Sequence, residues 1–88
     1  MKKFTKKPVL ASENTYSYED ALNLMCQETA EGLTLRELFE GCWDDADGDY
    51  DGAFHMVECA FGNFETPSEL GWGDVADLFD EWVGRTQY

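Results

Sequence analysis

Between Asp44 and Gly52 the chain reads Asp-Asp-Ala-Asp-Gly-Asp-Tyr-Asp-Gly. Aspartate side chains compete for nearby backbone N–H groups, and glycine loses the most backbone freedom when it is made helical, so this block disfavours helix and favours turns. A loop is expected across all of it, with separate elements on either side.

Those flanks carry helical patterning. Ser17, with Asp20 three residues on, is an expected N-cap, and Tyr18, Ala21, Leu22, Met25 and Thr29 follow at the spacing of one apolar stripe. Gly32 is expected to end that helix. Thr34 and Glu37 form a capping box ahead of Leu35, Leu38, Phe39 and Cys42. After the Asp block, Ala53, Val57, Ala60 and Phe61 mark a third helix that stops at Gly62-Asn63. Thr66, Pro67 and Glu69 read as a second capping box, so the last helix is expected to start there, weakened or kinked around Gly71, Trp72 and Gly73. Along it Val75, Leu78, Phe79 and Trp82 are expected inward and Asp74, Asp77 and Glu81 outward, with Asp80 beside them.

The expected fold is therefore mainly α, a compact bundle of about four short helices spanning residues 17–88, behind an extended basic arm of residues 1–16 with room for one strand through Pro8 to Ala11. With 88 residues there is material for one core, and 15% aromatic residues suffice to fill it.

Charge is distributed unevenly. The net charge is −13, yet Lys2, Lys3, Lys6 and Lys7 all lie in the arm. From Ser17 onward Arg36 and Arg85 stand against 18 acids, all of the 19 but Glu13, leaving about −16 on that part. Phosphate is repelled by such a body and a Lys- or Arg-rich groove is attracted, which excludes direct nucleic-acid binding and points to a basic protein partner.

Side chains three and four apart on a helix are neighbours at about 5–6 Å, so Asp74, Asp77 and Glu81 are expected to form a row of carboxylates. Carboxylates accept the same bidentate arginine hydrogen bonds as phosphates, so the row is expected to occupy a groove built for nucleic acid. Asp80, Asp44, Asp45 and the Glu37, Glu40 face extend it, while Trp72 and Tyr88 are expected as exposed anchors. By size, charge and helicity the chain resembles the small acidic inhibitors that phages carry against restriction, CRISPR or DNA-repair enzymes. That resemblance implies a DNA mimic working in the host cytoplasm.

A second reading comes from Asp47 to Glu58, which resembles an EF-hand calcium loop. Asp47, Asp49 and Asp51 stand at positions 1, 3 and 5, Gly52 at 6, the Ala53 carbonyl at 7 and Glu58 at 12. Phe39 and Trp43 lie where the entering helix of that family carries aromatics. Gly62-Asn63 interrupts the exit helix, Ala46 replaces the usual large apolar residue, and no second loop is present. The resemblance implies calcium as ligand, and an unpaired loop of this kind implies a homodimer that supplies the missing partner.

A smaller metal candidate joins His55 and Cys59, four apart, with Cys42 or Cys26. Three widely spaced cysteines without a Cys-x-x-Cys pair argue against a disulfide scaffold. The first residues lack the apolar stretch of an export signal, no membrane span is expected, and the cytoplasm is the expected location. One histidine, no glycine-rich phosphate loop and no nucleophile motif argue against an enzyme.

Overall fold

The computed structural model describes residues 16–27 and 32–87. The expected arm and strand of residues 1–16 lie almost wholly outside them, as do Thr29 and Tyr88. The described residues form four helices: α1 (Tyr18–Leu22), α2 (Leu35–Asp45), α3 (Tyr50–Gly62) and α4 (Trp72–Thr86).

α2 starts where its capping box requires. The Glu37 N–H donates to Thr34 Oγ1 at 3.3 Å, and the Thr34 N–H donates to Glu37 Oε1 at 2.9 Å, so two of the helix's free donors are satisfied reciprocally. Ser17 caps α1 as expected, accepting from the Asp20 N–H at 3.2 Å.

α1 is much shorter than its stripe implies, ending at Leu22 with Asn23 as its C-cap. The backbone beyond it is used differently. The Cys26 N–H donates to the Leu33 carbonyl at 2.8 Å and the Leu35 N–H to the Leu24 carbonyl at 3.0 Å, an extended pairing around Met25 and Thr34. Met25, expected inward, is 54% exposed, and Gly32 serves a turn with φ 64° rather than a helix end.

Five residues cannot hold a helix alone. Burial of Tyr18, Ala21 and Leu22 holds α1 in place, together with both arginines of the described residues. Arg36 donates to Asn23 Oδ1 at 2.6 Å and to Glu19 Oε1 at 2.8 Å, and the Arg85 guanidinium lies 4.2 Å above the Tyr18 ring.

Phe79 is the centre of the core. Its ring meets Phe39 edge-on at 5.2 Å, stacks with Tyr50 at 5.6 Å and with Trp82 at 6.0 Å, and lies 6.1 Å from Phe54. α2, α3 and α4 thus share one aromatic cluster, closed by Leu22, Leu35, Val57, Val75, Leu78 and Val83.

Two connections correct the expected boundaries. The loop between α2 and α3 covers residues 46–49 only, because Asp44 and Asp45 finish α2 while Asp51 and Gly52 lie in the first turn of α3. Residues 66–70 form a turn rather than the first turn of the last helix. Thr66 and Pro67 are buried there, the Thr66 carbonyl accepts from Gln27 Nε2 at 3.0 Å, and Gly71 takes the N-cap of α4. Packing of Thr66 and Pro67 outweighs their local helix-start signal.

Candidate functional site

The carboxylates expected to line the outer face of α4 do not lie there. Asp74 is 1% and Glu81 8% exposed, while Asp77 and Asp80 are half-buried. Three of the four have an internal role. Asp74 stands at the third position of α4, where the positive end of the helix dipole favours it, and accepts from the Gly71 N–H at 3.4 Å. Asp80 accepts the Tyr50 hydroxyl, and Glu81 pairs with Arg85 one turn on. The expected outward row on α4 is corrected: the face this helix buries takes in Asp74, Val75, Leu78, Phe79, Glu81, Trp82 and Val83, an arc wide enough to include its flanking acids.

Trp72 is corrected as well. It is half-buried, 5.5 Å from the Phe54 ring and 5.6 Å from Phe61.

The exposed acids gather instead on α2, the turn and α3. Glu37, Glu40, Asp44 and Asp45 are exposed on α2, Asp47 and Asp49 in the turn, and Asp51 and Glu58 on α3. Glu37, Glu40 and Asp44 follow at intervals of three and four, so they form one row along α2 with neighbours at about 5–6 Å. No lysine or arginine occurs between Arg36 and Arg85. Arg36, in the first turn of α2, is engaged by Asn23 and Glu19, and among the described residues the hairpin of α2 and α3 carries no lysine or arginine beyond it.

Local backbone geometry sharpens this picture. After the C-cap Ala46, the Asp47 N–H donates to the Asp44 carbonyl at 3.0 Å and the Gly48 N–H to the Trp43 carbonyl at 3.0 Å, the bond pattern of a Schellman helix end. That motif puts a left-handed residue just past the cap, usually glycine, and here it is Asp47 with φ 61°. Asp44 and Asp45 stand in the last turn, at the negative end of the dipole, with no basic residue beside them in that turn.

The same geometry bears on calcium. Asp49 is the N-cap of α3, its Oδ2 accepting from the Gly52 N–H at 2.8 Å. Gly52 is helical and does not make the left-handed turn of an EF-hand. A Cβ there would lie 3.0 Å from Asp49 Oδ2, so the small residue makes room for the capping carboxylate. Asp51, Ala53 and Glu58 lie along the helix, and Asp47, Asp49, Asp51 and Glu58 do not converge on one point. A cation held by all of them would require the first turns of α3 to unwind.

His55 and Cys59 do meet, Nε2 to Sγ at 3.5 Å. Cys26 and Cys42 are buried in other parts of the chain, and no cluster of three metal-ligating side chains occurs among the described residues. Burial, with Glu37 and Glu65 adding repulsion, pushes the Cys26 thiol up to about 11; burial together with Asp45 and Glu65 does the same for Cys42. Both are therefore neutral, inert thiols at physiological pH.

Two features escaped the sequence reading. Phe64 is 71% exposed and holds φ 60° just past the C-cap of α3, closing a second Schellman end through the Glu65 N–H to the Ala60 carbonyl at 2.9 Å. The signal Gly62-Asn63 locates the helix stop but says nothing of the side chain that follows. Trp43 and Trp82 line a depression beside Glu40 and Asp44, which required knowing how α2 and α4 meet.

No protein-family model matches this chain, and neither a curated protein nor a solved structure matches it. No helix among the described residues is long and apolar enough to cross a membrane.

Proposed function

We propose that this chain is an acidic binding protein of the DNA-mimic kind, an inhibitor that presents the carboxylates of α2, the following turn and α3 to a basic surface whose normal occupant is nucleic acid. One observation supports this most strongly: Asp44 and Asp45 stand in the last turn of α2, where the helix dipole opposes them and no basic residue accompanies them. Charge needed only for solubility carries no such penalty when spread over other exposed positions. Regularly spaced carboxylates offer arginine and lysine what a phosphate backbone offers them. The partner's basic groove is then attracted over roughly a Debye length and occluded once contact is made.

The resemblance to phage-type inhibitors of restriction, CRISPR or DNA-repair enzymes fits this reading, with Asp44 and Asp45 kept as contact residues and Glu37 and Glu40 replacing the acids of α4. The test is competition. Proteins captured by the wild type and released by salt are bound to labelled duplex DNA, and added wild type is expected to displace the duplex. The variant Glu37→Lys/Glu40→Lys/Asp44→Lys is expected to displace none of it while remaining folded. A stable ternary complex of captured protein, duplex and this chain would refute mimicry.

A further inference from the structure

Between the C-terminal half of α2 and the end of α4 lies a depression of about 250 Å³, lined by Glu40, Trp43, Asp44, Trp82 and Gln87. The two indole rings are 6.2 Å apart with planes 75° to one another, so they form a corner rather than a flat wall. Glu40 and Asp44, four apart on α2 and both exposed, bring two carboxylates to the same depression. Its volume is below the roughly 300–1,000 Å³ of a site for a drug-sized molecule, which suits one side chain. No cationic residue lines it among the described residues, and Arg85 of α4 is engaged by Glu81 and Tyr18.

Aromatic walls beside uncompensated carboxylates select a cation with an apolar, flat body. An ammonium is compact and strongly hydrated. A guanidinium is planar and weakly hydrated, stacks on indole, and donates a fork of N–H groups to carboxylates. We propose that this depression receives a single arginine side chain of the basic partner, stacked on the half-buried Trp43, which the buried Trp82 backs, and hydrogen-bonded by Glu40 and Asp44. This rests on the acidic-binder reading and adds the anchor that long-range attraction lacks. Charge alone steers a partner without fixing its register, whereas one desolvated arginine at an aromatic corner fixes both position and orientation.

The probes are nona-arginine, and the blocked tripeptide Gly-Arg-Gly with its neutral citrulline counterpart, all applied to the full chain at low salt. Glu40→Gln/Asp44→Asn is compared with Asp20→Asn/Glu69→Gln, which removes the same charge away from α2, the turn and α3. The pocket variant is expected to lose about ten-fold more affinity for nona-arginine than the control, the size of one hydrogen bond between charged groups. The Trp43 indole N–H resonance of the wild type is expected to shift with the arginine tripeptide and not with citrulline. Equal losses in the two variants, or equal shifts with the two tripeptides, overturn the arginine pocket while leaving acid presentation standing. No binding of nona-arginine by the wild type overturns both.

Discussion

If the acids at the end of α2 are kept for binding, removing them should make the protein more stable and less able to bind. The double variant Asp45→Asn/Asp47→Gly tests this away from the pocket residues. Asp45 sits in the last turn of α2, where a negative charge against the dipole costs about 0.3–1 kcal/mol. Asp47 holds φ 61°, and a side chain in that region costs about 1–2 kcal/mol, of which glycine returns some 0.5–1 kcal/mol through its greater freedom in the unfolded chain. The sum is a stabilisation of about 0.3–2.5 kcal/mol, or a rise in Tm of roughly 1–20 °C for a domain of this size. Thermal unfolding followed by circular dichroism measures it, at low salt and at 1 M NaCl. The Asp45 part should shrink in salt, where the Debye length is about 3 Å, while the Asp47 part is steric and should persist. Affinity for nona-arginine should fall in the same variant. A Tm that stays level or drops at low salt would refute the idea that these aspartates are held against the preference of the fold.

Other outcomes follow from the same coordinates. Phe64→Gly removes an exposed ring from a left-handed position and should raise stability by about 1 kcal/mol, read from urea midpoints; a loss would mean the ring is packed rather than exposed. Iodoacetamide at pH 8 should label Cys59 and spare Cys26 and Cys42, as mass spectrometry of digested protein will show. Because both buried thiols hold their protons up to about 11 when folded and only to about 9 when unfolded, their contribution to stability is complete below pH 9 and is lost between pH 9 and 11, a slope that Cys42→Ala should reduce. Millimolar calcium and magnesium should give equal, small shifts in Tm. A calcium-specific rise matching the roughly 2.7 kcal/mol of a ligand at about 100 times its Kd would establish the loop of Asp47 to Glu58 as a site and require α3 to begin later.

The sequence carried the existence of the helices better than their extent. Thr34 and Glu37 located the start of α2, and Gly62-Asn63 the end of α3, because caps act through bonds between residues a few positions apart. The stripe through Tyr18, Ala21 and Leu22 was equally legible, but its continuation through Met25 lost to a backbone pairing with residues 33–35, which are distant in local terms. Thr66 and Pro67 made the same local promise as Thr34 and were overruled by their own burial. The width of a buried stripe was not legible at all. α2 buries only Leu35, Phe39 and Cys42, a narrow line that leaves its acids in water, whereas α4 buries seven residues, Asp74 and Glu81 among them. The width of the face a helix buries is a tertiary quantity, and it sets which acids stay in water.

The acids of the described residues therefore fall into two populations with opposite relations to the fold. On α4 three sit where local physics favours them: Asp74 at the positive end of the dipole, Glu81 four residues before Arg85, Asp80 under the Tyr50 hydroxyl. Stability alone accounts for them. At the C-terminal end of α2 the reverse holds, with Asp44 and Asp45 at the negative end, Asp47 in a left-handed position, and no basic residue in that last turn. A chain that breaks several independent local rules within a few residues, while obeying them elsewhere, is carrying a demand other than folding. Glycine at position 47 and lysine at 45 would relieve two of these conflicts at once, and would remove charge on which the proposed binding rests.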